Sequence, residues 1–208
     1  MKSEIAIVEI ENPIRLRKLD GGDGIFFDAK HAHDDRIRVY IYDMLKCARE
    51  YLPTGYHFRI VEALRPLSVQ IKYWNEYMSK LKARYPNLSA DSEELIQMCD
   101  VYVANPYGRG SGHQAGAAID ITLVDNENVE YDMGGLVDDF ESGTAATDAP
   151  GISDGGRKNR GILLDALTRA GFRNYPAEWW HYSFGDALWA ELSGSKIAIF
   201  GKVAEASA

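Results

Sequence analysis

Residues 105–124 read NPYGRGSGHQAGAAIDITLV. The first part, dense in glycine and small polar residues, is a loop by composition, and AAIDITLV is a strand whose alternation puts Ile119, Ile121 and Leu123 on one face. Asp120 and Thr122 face the other way.

Upstream, RIRVYIYDMLKCAREYL carries Val39, Met44, Leu45 and Ala48 near helical spacing, which predicts a helix from about Arg36 to Tyr51, ended by Pro53 and Gly55. YHFRIVEAL is aromatic and β-branched and reads as a strand that stops at Arg65, because Pro66 cannot continue a ladder. Ser68 can then cap a helix running to about Arg84, and a third helix begins after Asp91. Downstream, the stretch from about Asn126 to Gly156 has no sustained period and is expected to form loops around a site rather than core. RKNRGILLDALTRAGF then reads as a helix stopping near Gly171, and EWWHYSF as a strand. Helices and strands are interspersed without regular βαβ alternation. The expected fold class is therefore α+β: one domain over residues 1–208, with a small central antiparallel sheet flanked by helices.

Composition narrows the function. With 46% hydrophobic and 26% charged residues the chain is ordinary for a globular protein, and no stretch approaches the roughly 20 apolar residues that cross a bilayer. A formal charge of -8 without clustered Lys or Arg argues against a nucleic-acid partner. Glu4 and Glu9 interrupt the only apolar run near the N-terminus, so a secretory signal is not expected; with just Cys47 and Cys99, in no metal or disulfide spacing, the reading is cytoplasmic with free thiols.

The chemistry lies in two short segments. Catalytic zinc takes three protein ligands and leaves a position for water. His113 lies in the Gly-rich loop and Asp120 seven residues later on the strand, with Gly116 between them to turn the backbone, so both can converge on one ion. Glu178 and His181, three residues apart in EWWH, could supply a base and a third ligand if the backbone turns between them; on an ideal strand this odd offset would point them to opposite faces. Glu178 is therefore expected on a turn. Singly, a histidine in a glycine-rich loop is more often a surface residue and an aspartate on a strand a structural partner. The two half-motifs together point to a zinc site on one face of the sheet. Trp179 and Trp180 are expected to form wall and core. His31 and His33, beside Asp34 and Asp35, are read as a solvated loop in preference to a second metal cluster, and His57 as a satisfied strand histidine.

Ser111 to Asp120 match the S-x-H-x-x-G-x-A-x-D pattern of the zinc D-alanyl-D-alanine peptidases, and Glu178 to His181 match their E-x-x-H element. The form EWWH followed by Tyr182 resembles the D-alanyl-D-alanine dipeptidases of the VanX type. Met133, Gly134, Asp138 and Phe140 resemble a family M-G-x-x-F-D-x-F stretch with Val137 at the usual Phe, and Asn159, Arg160, Gly171, Phe172 and Tyr175 fall at matching places. The resemblance is specific from about Glu62 to Tyr182. Where the family carries D-G-Y-R-P this chain has Glu62, Ala63, Leu64, Arg65 and Pro66, and the family's N-terminal pocket sequence is missing from the first 50 residues.

The resemblance implies one zinc per chain on His113, Asp120 and His181, Glu178 as general base, Arg65 beside the metal supporting the charge of the tetrahedral intermediate, and Glu62 contacting the substrate ammonium. Ser111 is a candidate for a hydrogen bond to substrate or to its own loop. The implied reaction is hydrolysis of D-alanyl-D-alanine or a related small dipeptide. The rivals are a peptidoglycan D,D-carboxypeptidase or endopeptidase, whose members more often carry E-P-W-H, and a non-catalytic zinc-stabilised binding module, which would have no need of Glu178.

Overall fold

The computed structural model describes residues 5–203. In chain order the elements are β1 (Ala6–Ile7), β2 (Leu16–Lys18), β3 (Ile25–Phe27), β4 (Arg36–Arg38), α1 (Val39–Arg49), β5 (His57–Glu62), α2 (Leu67–Arg84), α3 (Glu93–Asp100), β6 (Ala118–Val124), α4 (Asp154–Arg169), β7 (Arg173–Asn174), β8 (His181–Ser183), α5 (Ala187–Ser193) and β9 (Ile197–Ala198). The class is α+β. A central sheet of order β3-β5-β6-β8-β7 is accompanied by the two-stranded pairs β1-β9 and β2-β4. The sheet is antiparallel from β5 to β7, but its edge strand β3 runs parallel to β5, a departure from the all-antiparallel expectation.

β6 is the middle strand, and every one of its residues is buried. Its alternation has the expected outcome. Ile119, Ile121 and Leu123 join the main core with Ile41 and Leu45 of α1 and Leu163 and Leu167 of α4. On the opposite side Thr122 donates through Oγ1 to Glu130, 2.9 Å away, and Asp120 faces a cleft. α2 and α3 form an antechamber wall with a small core of their own, built from Trp74, Leu81, Leu95 and Cys99.

β5 and β6 hold the decisive irregularity. Ile60 pairs with Ile121, but Glu62 pairs with Asp120, so one residue of β5 is skipped between them. A bulge of this kind reverses the phase of the strand. Phe58 and Ile60 go into the core, and Glu62, which strict alternation would send after them, turns to the face of Asp120.

Several boundaries differ from the sequence reading. The helix expected from Arg36 begins at Val39, because Arg36–Arg38 pair with β2. Ser68 lies inside α2, whose N-terminal flank is Pro66 with no side-chain cap. α4 starts a turn earlier than expected, where Ser153 accepts from the Gly156 amide. In EWWHYSF only His181–Ser183 is strand, and Glu178 lies on the preceding turn as expected. Residues 126–153 contain no helix or strand, yet Met133 and Ala145 enter the core, so this loop is anchored rather than draped. His57 hydrogen-bonds Asn126 through Nε2, while its buried Nδ1 has no hydrogen-bond partner. Among the described residues no helix is long and apolar enough to cross a membrane.

Candidate metal centre

Three donors converge at the end of β6. Asp120 and His181 are direct cross-strand partners on β6 and β8, which places their side chains side by side on one face. His113 arrives from the loop before β6, returned by Gly116 at φ +61, a left-handed conformation that glycine adopts without strain. Gly112 is required for another reason: a Cβ there would lie 2.1 Å from Oδ2 of Asp186.

His181 Nδ1 is 3.0 Å from Asp120 Oδ1, His113 Nε2 is 3.3 Å from Asp120 Oδ2, and the two imidazole nitrogens are 3.2 Å apart. All donor atoms of the trio lie within 4.8 Å of one another, and it is the one such metal-binding group among the described residues. The His31 and His33 region forms none: His31 pairs with Asp28, and His33 bonds the Tyr73 hydroxyl. His113 Nδ1 sits 2.8 Å from the Ala63 carbonyl, which can only accept, so the proton is on Nδ1 and the Nε2 lone pair faces the cluster. Burial opposes ionisation of Asp120, but the two imidazoles outweigh it and hold the carboxyl well below the usual carboxylate range. Burial likewise pulls His113 down, and Asp120 more than reverses it.

Around this floor stand the other groups. Glu178 reaches within 3.8 Å of His181 Nδ1 and is buried; that burial, followed by the negative charges of Asp120 and Asp138, pushes its carboxyl well above the ordinary range. Arg65 is bound edge-on by Glu62, with Nε 2.9 Å from Oε1 and Nη2 on Oε2, and its Nη2 is 3.8 Å from Asp120. The cleft, about 1060 Å³, is lined here by Arg65, Tyr73, Ser111, Asp138, Phe140 and Glu178. Glu62 is not part of that lining. Both of its oxygens are taken by Arg65, the local pair that stood as the alternative to a contact with the substrate ammonium. Ser111 donates to Gln70 Oε1 of α2 at 3.2 Å and accepts from the Gln114 amide of its own loop. Trp179 and Trp180 are fully buried in the main core, and neither lines the cleft.

Two residues at the site went unread as site residues in the sequence. Asp138 lines the cleft with a left-handed backbone, φ +62, rare outside glycine, and burial followed by Asp120 pushes its carboxyl up to about 6. Its signal was the Met133 to Phe140 motif, matched but not assigned a role. Gln70 is fully buried, at the head of the stripe continued by Trp74 and Leu81. A polar residue in an apolar stripe was the available sign.

Two imidazoles and a carboxylate in a buried cleft, with a second acid alongside, make the donor set of a metal-dependent hydrolase. The chain belongs to the Peptidase_M15 family, described as D-ala-D-ala dipeptidase, whose model matches residues 40–197. Relatives include the D-alanyl-D-alanine dipeptidases of Synechocystis (38% identical, 44% of this chain and 43% of the relative), Enterococcus faecium (36%; 49% and 46%) and Escherichia coli (32%; 44% and 47%). The matches thus span less than half the length of these relatives. Similar solved structures are a variant of the vancomycin resistance D,D-pentapeptidase VanY in complex with Zn(II) (20% identical, 88% of this chain and 87% of that one, TM-score 0.48) and VanYB in complex with D-alanine-D-alanine (20%, 93% of each, TM-score 0.49).

Proposed function

We propose that this chain is a zinc-dependent dipeptidase that hydrolyses D-alanyl-D-alanine or a small dipeptide like it. The observation that carries the reading is the buried trio His113, Asp120 and His181 beside Glu178, inside the region matched to the family. The residues fit zinc: two neutral imidazole nitrogens and one carboxylate oxygen are a common catalytic set and leave a position open. Zinc held there supplies a Lewis acid that acidifies water and polarises a carbonyl.

The chain's own groups do the rest. Glu178, its carboxyl raised by burial, accepts the proton of the attacking water and returns it to the leaving amine. Arg65 faces the carbonyl oxygen as charge develops on it. A guanidinium has five N–H donors, and with Glu62 holding two and Gln70 a third the remainder can serve the cleft. Asp138, in the cleft wall, takes the substrate ammonium, the part that the sequence reading gave to Glu62. The free thiols Cys47 and Cys99 support a reducing, cytoplasmic location.

A stem-trimming carboxypeptidase is the second reading, favoured by a cleft roomier than a two-residue ligand fills, since pockets of about 300–1000 Å³ hold drug-sized ligands. Free and N-acetylated D-alanyl-D-alanine separate the two on the zinc-loaded protein. A buried acid left without its cation costs about 2–5 kcal/mol, so the acetylated substrate is expected to react at least about 30-fold more slowly. Equal rates would transfer the function to the carboxypeptidase. Absence of zinc-dependent hydrolysis of either would overturn both.

A further inference from the structure

Gln70 is a polar side chain with no exposed surface, at the start of α2, one turn beyond Arg65. Burying an amide is unfavourable unless its groups are paired, and each of its observed bonds runs to the site or to the loop beside it. Oε1 accepts from Arg65 Nη1 at 3.0 Å and from Ser111 Oγ at 3.2 Å; Nε2 donates to the Ala104 carbonyl at 2.8 Å. The last bond fixes which way the amide points, because Ala104 O needs a donor. The oxygen therefore faces Arg65.

The consequence concerns rotation of the guanidinium. Glu62 grips the Nε and Nη2 edge, and Gln70 grips Nη1 from another side. Three donors held by two residues fix the plane and leave the other Nη hydrogens for the cleft and for Asp120, 3.8 Å from Nη2. The Tyr73 ring, 5.0 Å from the guanidinium carbon, covers one face. Arg65 is therefore preorganised by protein groups before substrate arrives, the condition under which a donor favours a transition state over a ground state.

We propose that Gln70 is a positioning residue of the hydrolytic reaction, acting through Arg65 by holding Nη1 so that the free edge of the guanidinium points into the cleft. This rests on the zinc dipeptidase reading for its kinetic arm only.

The test is a double-mutant cycle on the zinc-loaded full chain with D-alanyl-D-alanine. Gln70→Met keeps the size and removes both polar atoms. Alone it is expected to lower kcat about 30-fold with KM within about threefold, while in an Arg65→Ala background the same change lowers kcat by about twofold or less. Gln70→Glu, which keeps acceptors toward Arg65 and Ser111, should recover most of the loss. If Gln70→Met does not fold, Gln70→Ala takes its place in the cycle. The second readout needs no turnover: nitrogen NMR of the Arg65 guanidinium should show restricted Nη rotation in the wild-type protein and free rotation in Gln70→Met. A full Gln70 effect persisting without Arg65, or unchanged Nη rotation in a folded Gln70 variant, overturns the proposal. If the wild-type protein hydrolyses no dipeptide, the dipeptidase reading fails and the NMR result alone decides for or against Gln70.

Discussion

The two halves of the site are built differently. The metal half stands on adjacent strands: Asp120 and His181 are paired across β6 and β8, and their separation follows from the ladder. The half to which we assign substrate stands on a loop: Asp138, in the cleft lining, is carried by residues 126–153, which form no helix or strand and are tied down by side chains. Arg160 of α4 donates to the carbonyls of Met133, Thr144 and Ala146, and Asn159 to that of Asp132. A ladder fixes positions by backbone hydrogen bonds that any sequence of suitable pattern makes, whereas a clamped loop depends on a few particular residues. Damage to the first half should therefore abolish chemistry, and damage to the second should change what is bound.

The largest expected effect tests the first half. Asp120→Ala removes the donor between the two histidines, and metal content by elemental analysis and hydrolysis should be lost together. Full zinc occupancy in that variant would break the assignment of the trio. Glu178→Gln comes next: it keeps shape and metal, but a carboxamide cannot take the water's proton, so turnover should fall by about 1000-fold with zinc retained. Near-normal turnover would remove Glu178 from the role of base.

How far each half could be read from sequence follows the same division. The helices and the strands β5 and β6 were legible because apolar spacing records which face is buried. The metal trio was legible because the loop-strand motif and E-x-x-H lie on elements whose geometry is regular. The surroundings of Glu62 were not legible from spacing alone. Its turn toward the face of Asp120 depends on a bulge after Ile60, and a bulge leaves no trace in the alternation of a short strand. The brevity of β8 is similar: EWWHYSF has strand composition throughout, but Trp179 and Trp180 are buried from a turn, so their burial does not imply extended backbone. Asp138 needed knowledge of where a long aperiodic loop returns, and that is set by Arg160 and Asn159 on a distant helix.

Asp138→Asn sharpens the contrast. Replacing the carboxylate by an amide in the cleft wall should reduce kcat/KM for the free dipeptide by about 30-fold, the consequence of leaving a bound ammonium without its counter-charge. Zinc content should be unchanged. Glu62→Gln, by contrast, should act on kcat, because Glu62 touches Arg65 and does not line the cleft. If the Glu62 variant instead lost discrimination between free and N-acetylated substrate while the Asp138 variant kept it, the ammonium site would belong to Glu62 after all.

The smallest expected effect asks whether the loop half can be disturbed alone. Arg160 is buried, and burial draws its guanidinium down to about 10; its Nε lies 2.7 Å from Met133 O, Nη1 2.6 Å from Ala146 O and Nη2 2.8 Å from Thr144 O. These three carbonyls flank Asp138 on both sides of the loop. Lysine at the same place offers one ammonium on a flexible stem, which cannot span the fork, so part of this set of acceptors is left unpaired. Each unpaired buried acceptor costs about 1–3 kcal/mol, and in a chain of this size a loss of about 2 kcal/mol lowers Tm by roughly 4–8 °C. Arg160→Lys is thus expected to fold, melt that much earlier, bind zinc as before and raise KM for D-alanyl-D-alanine about fivefold with kcat within about twofold, as for a change in uniform binding. Because Trp179 donates its backbone N–H to Ala145 of the same loop, a shift could also travel to Glu178. Should kcat and zinc affinity fall in parallel with KM, that route is the stronger one, and the two halves are one mechanical unit in spite of their different construction.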